Sequence, residues 1–440
     1  MNQIARDLLA KIEDTSVRVG VIGLGYVGLP LSLAFAERGV VTLGFDIDPA
    51  KIEAIHGGKS YIDGVDSDAL AAVVASGHLE STVDFDRLGE MDALLICVPT
   101  PLTRHREPDL SFVLNTGREI ARSLKRGQLV VLESTTYPGT TDRELREVLD
   151  EAGLVCGEEY LLAFSPERED PGNQKYGTTT IPKVVGGVDV AAGTVAEELY
   201  KLVVAETVRV SSARVAEAAK LTENIFRAVN IALVNELKVL YDSMEIDVRE
   251  VIDAAATKPF GFMRFDPGPG WGGHCIPVDP FYLSWKAREY DQQARFIELA
   301  GTINVEMPKY VVGKLQGALN ERGKAVHGSR ILLLGLAYKK NVADPRESPA
   351  FEILELLHEL GADLSYHDPL IGETPPMRSW PDMPKMSSVA LTPELLSQID
   401  AVCLVTDHDE VDYELVLDAA PLIVDTRAIF PPEHEKVLRA

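Results

Sequence analysis

The chain has 440 residues, of which 46% are hydrophobic and 25% charged, and its formal net charge is −25. That length exceeds one ordinary core and implies two or three domains of a globular rather than disordered protein. So acidic a chain lacks the basic footprint of a polynucleotide binder, and no apolar run reaches the ~18 residues that cross a bilayer, so neither nucleic acid nor membrane is an expected partner.

The opening MNQIARDLLAKIEDTS has no signal-peptide core and reads as a short amphipathic helix. VRVGVIG (17–23), VVTLGFD (40–46), DALLICVP (92–99) and QLVVLEST (128–135) read as buried strands, and KVVGG (183–187) as a later one. Helix-like text separates them, the pattern of a parallel sheet with crossover helices. From Ser211 to Met244 there is neither Gly nor Pro. One helix of roughly 50 Å is expected there. Its apolar positions exceed one stripe, which suggests a subunit interface and hence a homodimer or a dimer of dimers. A Gly- and Pro-rich stretch (259–280) precedes more helix to about Gly323. SRILLLGLA (329–337) then opens a second alternating unit, continued by ADLSYHD (362–368), DAVCLVTD (400–407) and PLIVDT (421–426), with a surface loop at 374–384. The expected domains are 1–210, 211–325 and 326–440, an α/β, a helical and a second α/β domain.

GLGYVG places Gly23, Gly25 and Gly28 between the first strand and a helical pattern beginning near Pro30. The first glycine permits the tight turn, the second lets backbone approach a pyrophosphate, and the third lets helix pack on strand. The next strand ends at Asp46, at about the 20-residue spacing of a Rossmann dinucleotide fingerprint. Asp46 suits a ribose diol and repels a 2′-phosphate, so NAD is the expected cofactor. Lys51, close enough to touch the ribose, keeps NADP open. The plain alternative is a Gly-turn beside a solvated Asp.

The four cysteines, Cys97, Cys156, Cys275 and Cys403, form no CxxC pair, and no His cluster has zinc spacing. No metal is expected, and the free thiols fit a reducing cytoplasm. Cys275 sits in PGPGWGGHCIPVDP (267–280), where backbone N–H groups can stabilise a thiolate or an oxyanion. Its bland reading is a small buried hydrophobe, which suits Cys97 inside a strand better. Asp279 can orient a water or a basic side chain, whereas the adjacent His274 reads as structural. Lys220 and Asn224, spaced i, i+4, share one face of the long helix. A desolvated Lys220 would suit proton transfer, although a lysine snorkelling to solvent is the plainer reading.

VIGLGYVGLP, CVPTP (97–101), ESTTYPGT (133–140), SPE (165–167), the Lys220–Asn224 pair, GGHCIPVDP (272–280) and GLAYKKNVADPRESP (335–349) occur in an order that resembles the UDP-glucose/GDP-mannose (nucleotide-sugar) 6-dehydrogenases along nearly the whole chain. That resemblance implies an N-terminal Rossmann NAD-binding domain, a central long-helix domain and a C-terminal Rossmann-like UDP-binding domain. It implies a cytoplasmic oxidoreductase of polysaccharide biosynthesis that oxidises the C6 alcohol of a UDP-sugar twice with NAD. A cysteine captures the aldehyde as a thiohemiacetal, whose oxidation gives a thioester that water hydrolyses.

Carried over by position, the resemblance makes Cys275 the nucleophile, Lys220 the base or oxyanion stabiliser, and Asn224 its oxyanion partner. Asp279 would orient Lys220 or the hydrolytic water, with Thr135 and Glu167 also at the active site. Gly23, Gly25, Tyr26, Val27, Gly28, Asp46, Lys51, Thr100 and Thr135 would face the cofactor. Glu167, Lys220, Asn224, Phe265, Gly273, Lys339 and Arg346 would face the substrate. Arg346 also reads as an ordinary surface residue.

UDP-glucose enzymes carry a second glutamate four residues after that of SPE, where this chain has Pro171. SPEREDPG, PGPGWGGHCIPVDPFYLSWKA and ARFIELAGTIN look more like the N-acetylhexosamine branch, which favours UDP-N-acetylglucosamine ahead of UDP-N-acetylmannosamine and UDP-glucose. A single-step hydroxy-acid dehydrogenase would share the cofactor domain but need neither Cys275 nor a third domain. A non-catalytic nucleotide-sugar-binding regulator would have no use for Cys275, Lys220, Asn224 and Asp279 together.

Overall fold

A computed structural model describes residues 1–62, 64–103, 107–169, 177–273, 276–377, 380 and 383–440. The chain divides into two compact units, Met1–Glu223 with Phe281–Gln292, and Asn224–Pro280 with Gln293–Ala440.

In the first unit, β1 (Val19–Ile22), β2 (Thr42–Phe45), β3 (Leu79–Thr82), β4 (Ala93–Ile96), β5 (Leu129–Leu132), β6 (Leu161–Phe164), β7 (Lys183–Gly187) and β8 (Thr207–Arg209) form one sheet, ordered β3-β2-β1-β4-β5-β6-β7-β8. The order reverses between β1 and β4, and such a switch point opens a crevice beyond the carboxyl ends of the strands. The expectation of a parallel sheet holds except at β6–β7, which pair antiparallel. An antiparallel neighbour needs no crossover helix, and the described residues between these strands contain none.

Around this sheet lie α1 (Gln3–Glu13), α2 (Gly28–Glu37), α3 (Pro49–His56), α4 (Ser67–Ala75), α5 (Ser111–Ser123), α6 (Arg146–Leu149) and α7 (Val190–Lys201). The strands are apolar throughout because both sheet faces are covered. Val19, Val21, Leu129 and Val131 join one core with α1, α2 and α7, while Ile22, Leu94, Val130 and Leu132 join another with α5. The opening helix belongs to this core: Asn2 caps α1, which buries Ile4, Ala5, Leu8 and Ile12.

The long helix α8 (Ala213–Asp242) has 30 residues, about 45 Å. After it come α9 (Val248–Ala256), α10 (Asp279–Ala287) and α11 (Arg295–Glu321). In the second unit, β9 (Arg330–Leu334), β10 (Asp363–His367), β11 (Ala401–Leu404), β12 (Ile423–Asp425) and β13 (Val437–Arg439) make a parallel sheet ordered β10-β9-β11-β12-β13. Its helices are α12 (Pro349–Glu359), α13 (Pro393–Gln398) and α14 (Tyr413–Ala419), and α11 packs on α12. Among the described residues, no helix is long and apolar enough to cross a membrane.

Candidate active site

The glycine turn follows β1 as the spacing requires. Gly23 has φ +92°, and a Cβ there would lie 2.6 Å from the Cys97 carbonyl oxygen. A Cβ on Gly28 would lie 1.9 Å from the Gly23 oxygen, whereas one on Gly25 meets nothing within 4 Å. Two of the glycines are thus demanded by packing, and the middle one borders open space where a phosphate can approach. Asp46, buried just past β2, accepts from Leu24 N at 2.9 Å and Asp48 N at 3.0 Å. Lys51 Nζ stands 2.8 Å from its Oδ2, so these two predicted cofactor residues are brought together. The glycine turn, the open space at Gly25 and the acceptor at Asp46 together fit a dinucleotide. Tyr26 is exposed, Val27 lies at the N-terminus of α2, and Thr100 is buried with its carbonyl accepting from the Tyr282 hydroxyl.

Cys97 was expected inside a strand, but it follows β4 at the sheet's carboxyl edge, where burial and then Glu133 push its thiol up. Thr135 follows β5, half-buried, and Glu133, two residues earlier, belongs to a network that the sequence did not reveal. Lys183 Nζ lies 2.6 Å from Glu133 Oε2 and 3.5 Å from Glu167 Oε2, and the Tyr200 hydroxyl donates to Glu133 Oε1. Burial pushes the Glu133 carboxyl up and by itself would lower the Lys183 ammonium. The short contact and the Tyr200 hydrogen bond favour the ionised pair, and the two carboxylates raise Lys183 overall. Glu167 Oε1 also accepts from the Arg168 and Glu169 amides at 2.6 and 2.7 Å. Arg168 reaches Glu223 on α8 at 2.7 Å. Lys220, on the same helix, is 6% exposed, so it does not snorkel to solvent.

In the second unit Asn224 is 1% exposed; its amide donates to Asp279 Oδ2 at 2.6 Å and accepts from Arg227 at 2.5 Å. Phe265 meets Phe226 edge-on, their ring centroids 5.8 Å apart. The glycine-rich loop packs against the GLAYKK…RESP segment. The Gly273 amide donates to the Arg346 carbonyl at 3.0 Å, and a Cβ on Gly273 would lie 2.8 Å from the Tyr338 ring. Gly272 is equally tight, 2.7 Å from Tyr338 Cβ. These glycines therefore bring their loop up to the segment that carries Lys339 and Arg346. The Arg346 guanidinium forks onto Asp344 at 2.7–3.0 Å. Cys275, His274 and Pro171 lie outside the described residues.

Three successive stretches match the domains of one protein family. Residues 17–204 match its NAD-binding domain, 214–306 its central domain and 332–432 its UDP-binding domain. The chain belongs to the UDP-glucose/GDP-mannose dehydrogenase family. Several relatives resemble it over most of its length. Protein CapL of Staphylococcus aureus is 38% identical over 80% of this chain and 81% of its own. The UDP-N-acetyl-D-glucosamine 6-dehydrogenase of Pseudomonas aeruginosa is 36% identical over 83% and 85%. A solved UDP-D-ManNAc dehydrogenase from Pyrococcus horikoshii superposes with a TM-score of 0.87 at 32% identity, covering 96% of this chain and 98% of that one. The cofactor is accordingly NAD, and the Gly23–Gly28 turn lies within the stretch that matches the NAD-binding domain.

Proposed function

We propose that the chain oxidises the C6 alcohol of a UDP-N-acetylhexosamine, foremost UDP-N-acetylglucosamine (UDP-GlcNAc), to the uronate with Cys275 as nucleophile. The packing of Gly272 and Gly273 against Tyr338 carries this reading, because it sets the loop leading to Cys275 beside the segment of Lys339 and Arg346 in a UDP-binding domain. Bound NAD supplies the hydride acceptor for each oxidation.

The other roles fall to the chain's own groups. Lys220 takes the alcohol proton, and Asn224 donates to the developing oxyanion. A trigonal aldehyde cannot release a hydride, so the Cys275 thiolate adds to C6 and makes it tetrahedral. The second oxidation leaves a thioester, which water cleaves to carboxylate and free thiol. Asp279, hydrogen-bonded to Asn224, holds that amide in place, and Glu167, anchored by Lys183 and two amides, holds the SPE segment. The balance is one alcohol, two NAD⁺ and one water giving carboxylate, two NADH and three protons.

Two relatives named for N-acetylhexosamine substrates support the sugar class, as does the SPEREDPG text, and one of the two is named for UDP-N-acetyl-D-glucosamine. Initial rates over UDP-GlcNAc, UDP-ManNAc, UDP-GalNAc and UDP-glucose test it. The largest kcat/KM is expected for UDP-GlcNAc, and a preference for UDP-glucose would remove the acetamido assignment. On α8, Phe226, Leu233 and Leu240 recur every seven residues and are 46–50% exposed, which supports a homodimer through this helix. Light scattering that returned a monomer would refute the dimer.

A further inference from the structure

Whatever Lys220 reaches depends on where α8 is held. Among the described residues of the first unit, side chains on this helix are tied to neighbouring segments at three places. Arg214 meets Asp142 at 2.7 Å, Glu223 meets Arg168 at 2.7 Å, and Glu217 lies between them. The outer two are partly exposed ion pairs, a class that contributes little.

Glu217 is different: it is fully buried. The Gly139 amide donates to its Oε2 at 2.7 Å, and the Thr141 amide and hydroxyl donate to Oε1 at 2.9 and 2.7 Å. Both carboxylate oxygens are therefore used, by donors from Gly139 and the first turn of the π-helix Thr140–Leu145. Glu217 precedes Lys220 by three residues and so lies on nearly the same helix face. The turn it grips begins four residues after Thr135. That intervening chain has little slack, since Ser134 Oγ donates to the Val98 carbonyl at 2.7 Å and Thr140 Oγ1 to the Tyr137 carbonyl at 2.9 Å.

We propose that Glu217 is a positioning residue for the oxidation: by gripping Gly139 and Thr141 it fixes the height and rotation of α8, and so holds Lys220 in register with the Thr135 segment. The inference rests on the reading above, in which Lys220 and Thr135 act on one reaction. A catalytic group displaced by about 1 Å loses on the order of 100-fold in rate, so a short, buried tether matters more here than the exposed pairs beside it.

The test uses the full-length protein with Glu217→Gln, which keeps the side chain's size but turns an NH2 towards one of the three donors. For oxidation of UDP-GlcNAc, kcat is expected to fall at least tenfold while KM for NAD stays within about twofold. Acylation of Lys220, followed by peptide mass spectrometry and referenced to the exposed Lys324, is expected to change at least threefold in rate. Should Glu217→Gln fail to fold, Thr141→Val removes only the hydroxyl donor and should shift both readouts in the same direction by less. Lys220 labelling that does not change relative to Lys324, or a kcat within twofold of wild type, would overturn the proposal. A wild-type enzyme without activity on any UDP-sugar would instead remove the functional reading, and the labelling, which needs no turnover, would still decide whether Glu217 positions Lys220.

Discussion

Replacing Lys183 with Met removes a cation that is 4% exposed and whose Nζ lies 2.6 Å from Glu133 Oε2. Glu133 is itself 1% exposed, so its carboxylate would keep the Tyr200 hydroxyl and lose its counter-charge. Breaking one side of a buried pair costs about 3–5 kcal/mol, whereas replacing both partners by neutral groups of similar volume is nearly neutral. Calorimetry of the first unit's transition should therefore show a loss of roughly 6–20 °C for Lys183→Met, at about 2–4 °C per kcal/mol for a unit of this size. The double variant Glu133→Gln/Lys183→Met should recover most of that loss. A pH dependence should accompany the single variant. Burial already pushes Glu133 up, and without Lys183 it rises further. An acid whose folded pKa is raised contributes its stability below the unfolded pKa and loses it as pH rises through the folded one, so the deficit should shrink on acidification. A single variant within about 1 kcal/mol of wild type, or a double variant no better than the single, would refute the assignment of Lys183 and Glu133 as an ionised pair.

The Glu217 carboxyl should leave its own mark on stability. Burial raises it from 4.5 to about 7, Asp142 adding to the rise while Thr141 and Gly139 oppose it. The stability of wild type relative to Glu217→Gln should accordingly be greatest below pH 4.5 and fall by about 3 kcal/mol as pH rises through 7, and a flat difference in urea titrations from pH 4 to 8 would contradict this. Gly273 has φ +82°, and a methyl there would lie 2.8 Å from the Tyr338 ring. Gly273→Ala should lower turnover at least tenfold and leave NADH binding, followed by fluorescence, unchanged. Asp46→Asn should weaken NAD binding about tenfold by isothermal titration, since it disturbs the acceptor that also braces Leu24 and Asp48.

What the sequence made legible is mostly what is local along the chain. The Gly23–Gly28 turn, Asp46 and Lys51 all lie within one β-α-β stretch, and their spacing alone set their neighbourhood. The thirty-residue helix was equally plain, because nothing in 211–244 breaks it. Four short strands were missed for opposite reasons. LEST in β3 alternates buried with less buried residues at a sheet edge, TVR in β8 and VLR in β13 have only three residues, and LLAF in β6 is too short to tell from a buried helix. The antiparallel β6–β7 pair had no local signal at all.

The buried charges were hidden in another way. Lys183 and Glu133 are 50 residues apart. Each looks like an ordinary charge flanking a strand until the fold closes them on one another. Glu217 reads as a solvated helix glutamate among alanines, yet its partners lie 76 and 78 residues earlier. The one available hint was composition: a glutamate opening ESTTYPGT directly after the apolar QLVVL has nowhere to go but the sheet's carboxyl edge.

The central claim is a double oxidation that depends on Cys275, and exhaustive turnover of a limiting amount of UDP-GlcNAc with excess NAD tests it most directly. Absorbance at the NADH band should reach two equivalents per sugar consumed, with the uronate as the product. One equivalent, or two equivalents retained at near wild-type rate by Cys275→Ala, would contradict it.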